Sequence, residues 1–167
     1  MFSGSKDESL LQWGILRHEL VRDYGRIHAD GVVSLVVTGC GKYLWSIGVE
    51  GFIKKWDVEE GVLAGAYSDL LNSKGGAMRI VGDGGKVFLG CGGRLMQYHL
   101  EKKRWVGDYG CVCEDDITRV VCTKDGRSVF AVSRGGTVKQ FDAGTKEKMG
   151  DFNDTVNGDI KCLLLTD

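Results

Sequence analysis

Two aromatic positions recur along the whole chain with one period, and no other feature restricts the fold as strongly. Trp13, Trp56, Tyr98 and Phe141 lie 43, 42 and 43 residues apart, and Tyr24, Tyr67, Tyr109 and Phe152 repeat those spacings. A period kept at two positions through 167 residues marks a repeated structural unit. Around each pair the plan is the same: small residues, a turn, an alternating run ending on one aromatic, then a second run ending on the other.

The clearest unit shows what repeats. Ile117 to Cys122 is β-branched and apolar, and "TKDGR" turns around Asp125 and Gly126. Ser128 to Val132 follows, "SRGG" turns again, and Thr137 to Phe141 alternates apolar with polar, the pattern of a half-buried strand. After "DAGTKEK" a last run starts at Met149. Four short strands joined by short turns predict an antiparallel meander. Unit one ("GVVSLVV", "KYLWSIG", "FIKKWDV", "VLAGAY") and unit two ("AMRIV", "KVFLG", "RLMQYHL", "RWVGDYG") follow the same scheme. Such a meander cannot bury both faces alone, so the sheets must pack on one another with the aromatics between them.

Composition agrees. The 26 glycines and absent prolines suit many tight turns. Hydrophobic content of 43% excludes a disordered chain, and a net charge of −1 gives no global attraction to nucleic acid or anionic membrane. The apolar runs are far too short for a spanning helix, and "MFSGSKDES" has neither the basic head nor the apolar core of a secretory signal. Six cysteines (Cys40, Cys91, Cys111, Cys113, Cys122, Cys162) without such a signal point to a reducing compartment, cytoplasm or nucleus. None forms a CxxC. The Cys111–Cys113 spacing places both side chains on one face of a strand and fits no common zinc pair. The cysteines read as small buried hydrophobes.

The period, the four strands per unit and the Trp56-Asp57 dipeptide together resemble the WD-repeat β-propeller family over essentially the whole chain. Weakened forms of the dipeptide stand at Trp13-Gly14, Tyr98-His99 and Phe141-Asp142. The resemblance implies an all-β fold, a propeller of four-stranded antiparallel blades. It also implies a buried network of a His before the first strand, a Ser on the second, an acid in the next turn and the Trp of the third. His28, Ser46, Glu50 and Trp56 occupy those positions, with Glu in place of the usual Asp. In the opening segment Ser3, Asp7 and Trp13 match, but the His position falls on Val156. Unit two has Gly92 and Tyr98 at the acid and Trp positions, and unit three has Gly135 and Phe141.

Alignment of the units divides the chain, read as one propeller domain or partial propeller, into about four blades. Residues 1–25 supply the last three strands of a split blade, 26–68, 69–110 and 111–153 are full blades, and 154–167 supply a first strand. Ile160 to Leu165 match Ile117 to Cys122 and are expected to pair antiparallel with Phe2 to Ser5, in the same chain or in a partner chain. Either the ring is small, or two chains complete one ring as a homodimer, or the chain is a segment of a longer polypeptide. The stop at Asp167, inside an expected "DG" turn, favours the last.

Enzyme chemistry finds little footing. "GDGGKVFLGCGG" has the glycines of a phosphate loop, but they lie between strands rather than opening a helix. His18, His28 and His99 fall in different units with no metal-ligand spacing, and His18 and His99 are expected to be exposed. Glu114, Asp115 and Asp116 read as a solvated acidic loop, and no nucleophile-elbow pattern occurs. No cofactor and no metal are expected. Arg79 and Arg119 share a strand-one position in successive units, with Lys161 beside it in the last, and read either as solvated charges of a wide channel or as a site for an acidic peptide or RNA phosphate. The resemblance implies a non-enzymatic scaffold for protein–protein interactions. Its alternatives are a regulatory segment of a multidomain enzyme such as an inositol-polyphosphate phosphatase, or an RNA-processing ribonucleoprotein scaffold.

Overall fold

The computed structural model describes residues 1–67, 77–81, 85–100, 102–152 and, singly, 158, 160, 163 and 165. Alternating side chains and turn-forming residues leave only strands among them, so none of their elements is a helix able to cross a membrane. The chain divides into two compact units, Met1–Gly75 and Gly76–Asp167.

In the first unit, β1 (Phe2–Gly4), β2 (Ser9–Gly14) and β3 (Glu19–Arg26) form a three-stranded antiparallel sheet in that order. The second sheet has four strands in sequence order, β4 (Val32–Val37), β5 (Tyr43–Gly48), β6 (Ile53–Asp57) and β7 (Leu63–Tyr67). The second unit holds two four-stranded sheets. The third comprises β8 (Met78–Val81), β9 (Lys86–Cys91), β10 (Arg94–His99) and β11 (Arg104–Cys111). The fourth comprises β12 (Ile117–Cys122), β13 (Ser128–Ser133), β14 (Val138–Asp142) and β15 (Lys148–Asp151). All are antiparallel meanders. The segment 160–165, expected to be a strand paired to Phe2–Ser5, lies mostly outside the described residues, as does Val156.

Local chemistry repeats with the strands. In every sheet the register between the last two strands slips just before the periodic aromatic, at Gln12/Trp13, Lys55/Trp56, Gln97/Tyr98 and Gln140/Phe141. An extra residue there bends the last strand and increases its twist. The Asp of the dipeptide builds the turn that follows. Asp57 Oδ1 accepts the Glu59 and Glu60 amides at 3.0 Å, and Asp142 Oδ1 accepts those of Gly144 and Thr145 at 2.8 and 2.7 Å.

The two units share one packing design, 85 residues apart. Leu10, Ile27, Leu44 and Trp56 form the first core, flanked by Phe2 and Tyr24. Leu95, Val112, Val129 and Phe141 take the same places in the second, with Phe88 and Tyr109. Tyr24 meets Trp56 edge-on at 5.6 Å and 76°, and Tyr109 meets Phe141 at 5.6 Å and 73°. Both units also need a glycine where the sheets touch. A Cβ on Gly4 would stand 2.5 Å from Val32 Cγ1, and one on Gly90 would stand 2.8 Å from Ile117 Cβ. Each buried aliphatic side chain contributes roughly 1.5–3 kcal/mol, and each aromatic pair about 0.5–1.5 kcal/mol more.

Candidate functional site

His28 lies in the link between β3 and β4, Ser46 on β5, Glu50 in the turn after it and Trp56 on β6. Antiparallel pairing sets Ser46 opposite Lys54, two residues from Trp56, so both project to one face. Trp56 Nε1 donates to Ser46 Oγ at 3.0 Å. Ser46 Oγ stands 2.8 Å from His28 Nε2, and His28 Nδ1 stands 2.5 Å from Glu50 Oε1.

Donor bookkeeping orders the chain. Indole N–H can only donate, and a carboxylate can only accept. The hydroxyl of Ser46 therefore donates to Nε2, and the imidazole, neutral with its proton on Nδ1, donates to Glu50. Burial holds the His28 pKa below 6.5, and nearby Lys54 acts the same way. The hydrogen bond and charge of Glu50 oppose them. The His28 side chain has 0% exposure and that of Glu50 17%. Gly48 makes the pair fit, because a Cβ there would lie 2.5 Å from His28 Nδ1 and closer still to Glu50 Oε2. That second carboxylate oxygen is buried without a hydrogen-bond partner. Lys54 Nζ donates to the Ile27 carbonyl and so holds the link beneath His28.

Ser46, His28 and Glu50 share the bonding order of a nucleophilic triad. Ser46 is 0% exposed and its oxygen also receives the Trp56 N–H, so no substrate reaches it. The chemistry of the arrangement is structural: it ties β5, β6 and the β3–β4 link together.

The opening sheet carries half of this arrangement. Trp13 Nε1 donates to Ser3 Oγ at 2.7 Å, whereas Asp7 turns to Ser9, whose hydroxyl and amide it accepts at 2.6 and 3.0 Å. The third sheet has buried Leu89, paired with Met96, where Ser46 pairs with Lys54. In the fourth, Cys113 and Ala131 stand where His28 and Ser46 stand in the second, and both join the apolar core. Asp115 leans over Gly135, the glycine at the acid position, and Asp116 pairs with Arg134 at 3.4 Å.

Several expectations are corrected. Cys40 and Cys111 are exposed, and only Cys91, Cys113 and Cys122 are buried among the described cysteines. Cys111 and Cys113 do not share a strand face, because β11 ends at Cys111 after Gly110 takes φ +75°. His18 is exposed in a turn, but His99 is half-buried on β10, its Nδ1 accepting the Lys102 amide at 3.4 Å. Among the described residues no three His, Cys, Asp or Glu side chains are grouped to hold a metal.

Arg79 and Arg119 are both exposed on neighbouring strands β8 and β12. Arg119 folds back on the Thr118 carbonyl at 2.7 Å. Arg79 reaches the Cys122 thiol, whose pKa burial raises and Arg79 draws down. Lys161 lies outside the described residues. No family model and no curated protein matches the chain.

Proposed function

We propose that the chain is a non-enzymatic scaffold of the WD-repeat kind, its sheets the blades of a propeller, which binds protein partners through its turns and exposed strand edges. The observation that carries this reading is the Trp56–Ser46–His28–Glu50 chain, set in a repeated four-stranded meander. Its residues serve rigidity and not turnover, which suits a platform. Cys40, Cys111, Cys113 and Cys122 are thiols, in keeping with a reducing compartment, cytoplasm or nucleus.

The exposed Arg79 and Arg119 favour an acidic partner surface, with RNA phosphate as the second reading. Affinity capture with and without nuclease separates them: protein partners persist through nuclease, whereas RNA-borne ones are lost. Charge reversal at both arginines is expected to remove capture without lowering the melting temperature. Capture unchanged by the reversal would move the binding surface elsewhere, and the absence of any specific protein or RNA partner would overturn the scaffold reading.

A further inference from the structure

Each unit contains one sheet-to-sheet contact built on one template. The receiving sheet offers Phe2, Leu10 and Tyr24, or Phe88, Leu95 and Tyr109. The inserting sheet offers Leu44, Trp56 and Val58, or Val129, Phe141 and Ala143. The same positions can be read in the two sheets at either end of the series. In the fourth, Phe130 and Phe152 take the receiving places, since Phe130 pairs with Gln140 as Phe2 pairs with Gln12. Their rings lie 6.3 Å apart, against 6.4 Å for Phe2–Tyr24 and for Phe88–Tyr109, so the receiving pair is already assembled. In the first sheet, Met1, Trp13 and Ile15 take the inserting places.

Each face carries exposed apolar side chains beside a half-buried aromatic, Trp13 on one and Phe130 on the other. Phe152 is 54% exposed, Met1 65% and Ile15 68%, whereas their counterparts in the two internal contacts are packed in the cores. The polar neighbour on the receiving face costs little to cover, because Gln140 Nε2 already donates to Ser128 Oγ at 3.2 Å within its own sheet. Open apolar faces of this kind mark association surfaces.

We infer that the chain associates head to tail with a second copy, Met1, Trp13 and Ile15 of one copy seating on Phe130 and Phe152 of the other. The occupant is a second copy because the first sheet carries the inserting residues in register for that template, Met1 and Ile15 exposed on either side of half-buried Trp13. The contact is heterologous, with different patches on the two partners. It rests on the repeat reading above, but not on any other protein being bound.

The test is the solution mass of the full chain by sedimentation velocity over a wide concentration range. The intact chain is expected to exceed one-chain mass. Ile15→Glu on the inserting face and Phe152→Glu on the receiving face should each return it to one chain, with unchanged far-ultraviolet dichroism. Leu16→Glu, at a 95% exposed neighbour outside the template, should leave the mass unaltered. Mixing the Ile15 and Phe152 variants should restore a two-chain species, because one sound face remains on each. A one-chain mass for the intact chain at every concentration overturns the inference, as do unaffected variants or a mixture that stays monomeric. Partner capture by the monomeric variants separates the readings: if it persists, the scaffold stands whatever the mass shows.

Discussion

The two units solve one packing problem with different chemistry. Around the shared aromatic cluster, the first unit buries His28 and Ser46 in a hydrogen-bonded chain, while the second puts Cys113 and Ala131 in the same places. The backbone design does not notice. Val49 N reaches the Gly31 carbonyl at 3.0 Å in one unit, and Arg134 N reaches that of Asp116 at 2.9 Å in the other. A hydrogen-bonded network that leaves one carboxylate oxygen of Glu50 unpaired and an apolar core thus both support this meander, as expected where burial of polar groups roughly offsets their bonding. They differ in how they fail: the apolar core loses area, and the polar chain strands its partners.

The largest effects should fall where the units agree. Trp56→Ala and Phe141→Ala each empty the niche against Tyr24 or Tyr109, and each should cost about 3–5 kcal/mol in urea unfolding. A loss confined to Trp56→Ala would mean that the apolar niche is not the common support, and the comparison would break.

The next effect separates them. His28→Ala leaves buried Ser46 and half-buried Glu50 without their partner and should cost about 1–3 kcal/mol. Cys113→Ala removes only a sulfur from an apolar site and should cost roughly 1 kcal/mol. A double-mutant cycle of His28→Ala with Ser46→Ala should show coupling, and additive effects would dissolve the network.

Acid should strain the first unit before the second. Burial depresses the His28 pKa, so the unfolded chain takes up the proton first as pH falls below 6.5. The stability linked to neutral His28 is therefore complete above 6.5 and is lost as pH falls toward and through the folded value. Asp7, Asp125 and Asp142, held down by hydrogen bonds from Ser9, Thr123 and the Thr145 amide respectively, matter only below 3.8. Between those limits, hydrogen exchange should quicken in β5 and β6 while β13 and β14 hold. Equal quickening in both units would place the acid-sensitive group elsewhere.

Much of the fold was legible because its signals are local. Ile117 to Cys122 was read to the residue as β12, since a β-branched run and an Asp-Gly turn sit side by side in sequence. The paired design at 85 residues was harder, because Leu44 answers to Val129 and Val58 to Ala143, and a similarity of size carries no letter. At the site, the resemblance to WD repeats pointed to His28, Ser46, Glu50 and Trp56, but proton direction needed geometry. The Gly48 requirement and the Asp115 carboxylate over Gly135 were invisible, because both depend on how a turn folds back on its own sheet. Cys111 and Cys113 misled for the same reason: period-2 reasoning assumes that the strand continues, and Gly110 lets it end.

The smallest effect tests whether even the shared aromatics are used alike. Tyr24 donates to Gln12 Oε1 at 3.1 Å, and Gln12 is only half-buried, so it can turn to water. Tyr109 lies 3.4 Å from both Gln97 Oε1 and the Ala143 carbonyl, and Gln97 is 4% exposed. Removing the hydroxyl should then be nearly silent in Tyr24→Phe and cost about 0.5–1.5 kcal/mol in Tyr109→Phe, where a buried acceptor loses its donor. Alkali offers an independent check. Burial first, and the charge of Asp142 second, push the Tyr109 pKa from 10.0 up to about 12. A raised phenol contributes stability that is complete below 10 and fades as pH climbs through the folded value. Burial also raises the Tyr98 pKa, so the late-titrating tyrosinate absorbance should shrink by one phenol in Tyr109→Phe and stay whole in Tyr24→Phe. If both variants unfold alike and Tyr109→Phe leaves the late titration undiminished, the two tyrosines are equivalent, and the difference between the units is confined to His28 and its partners.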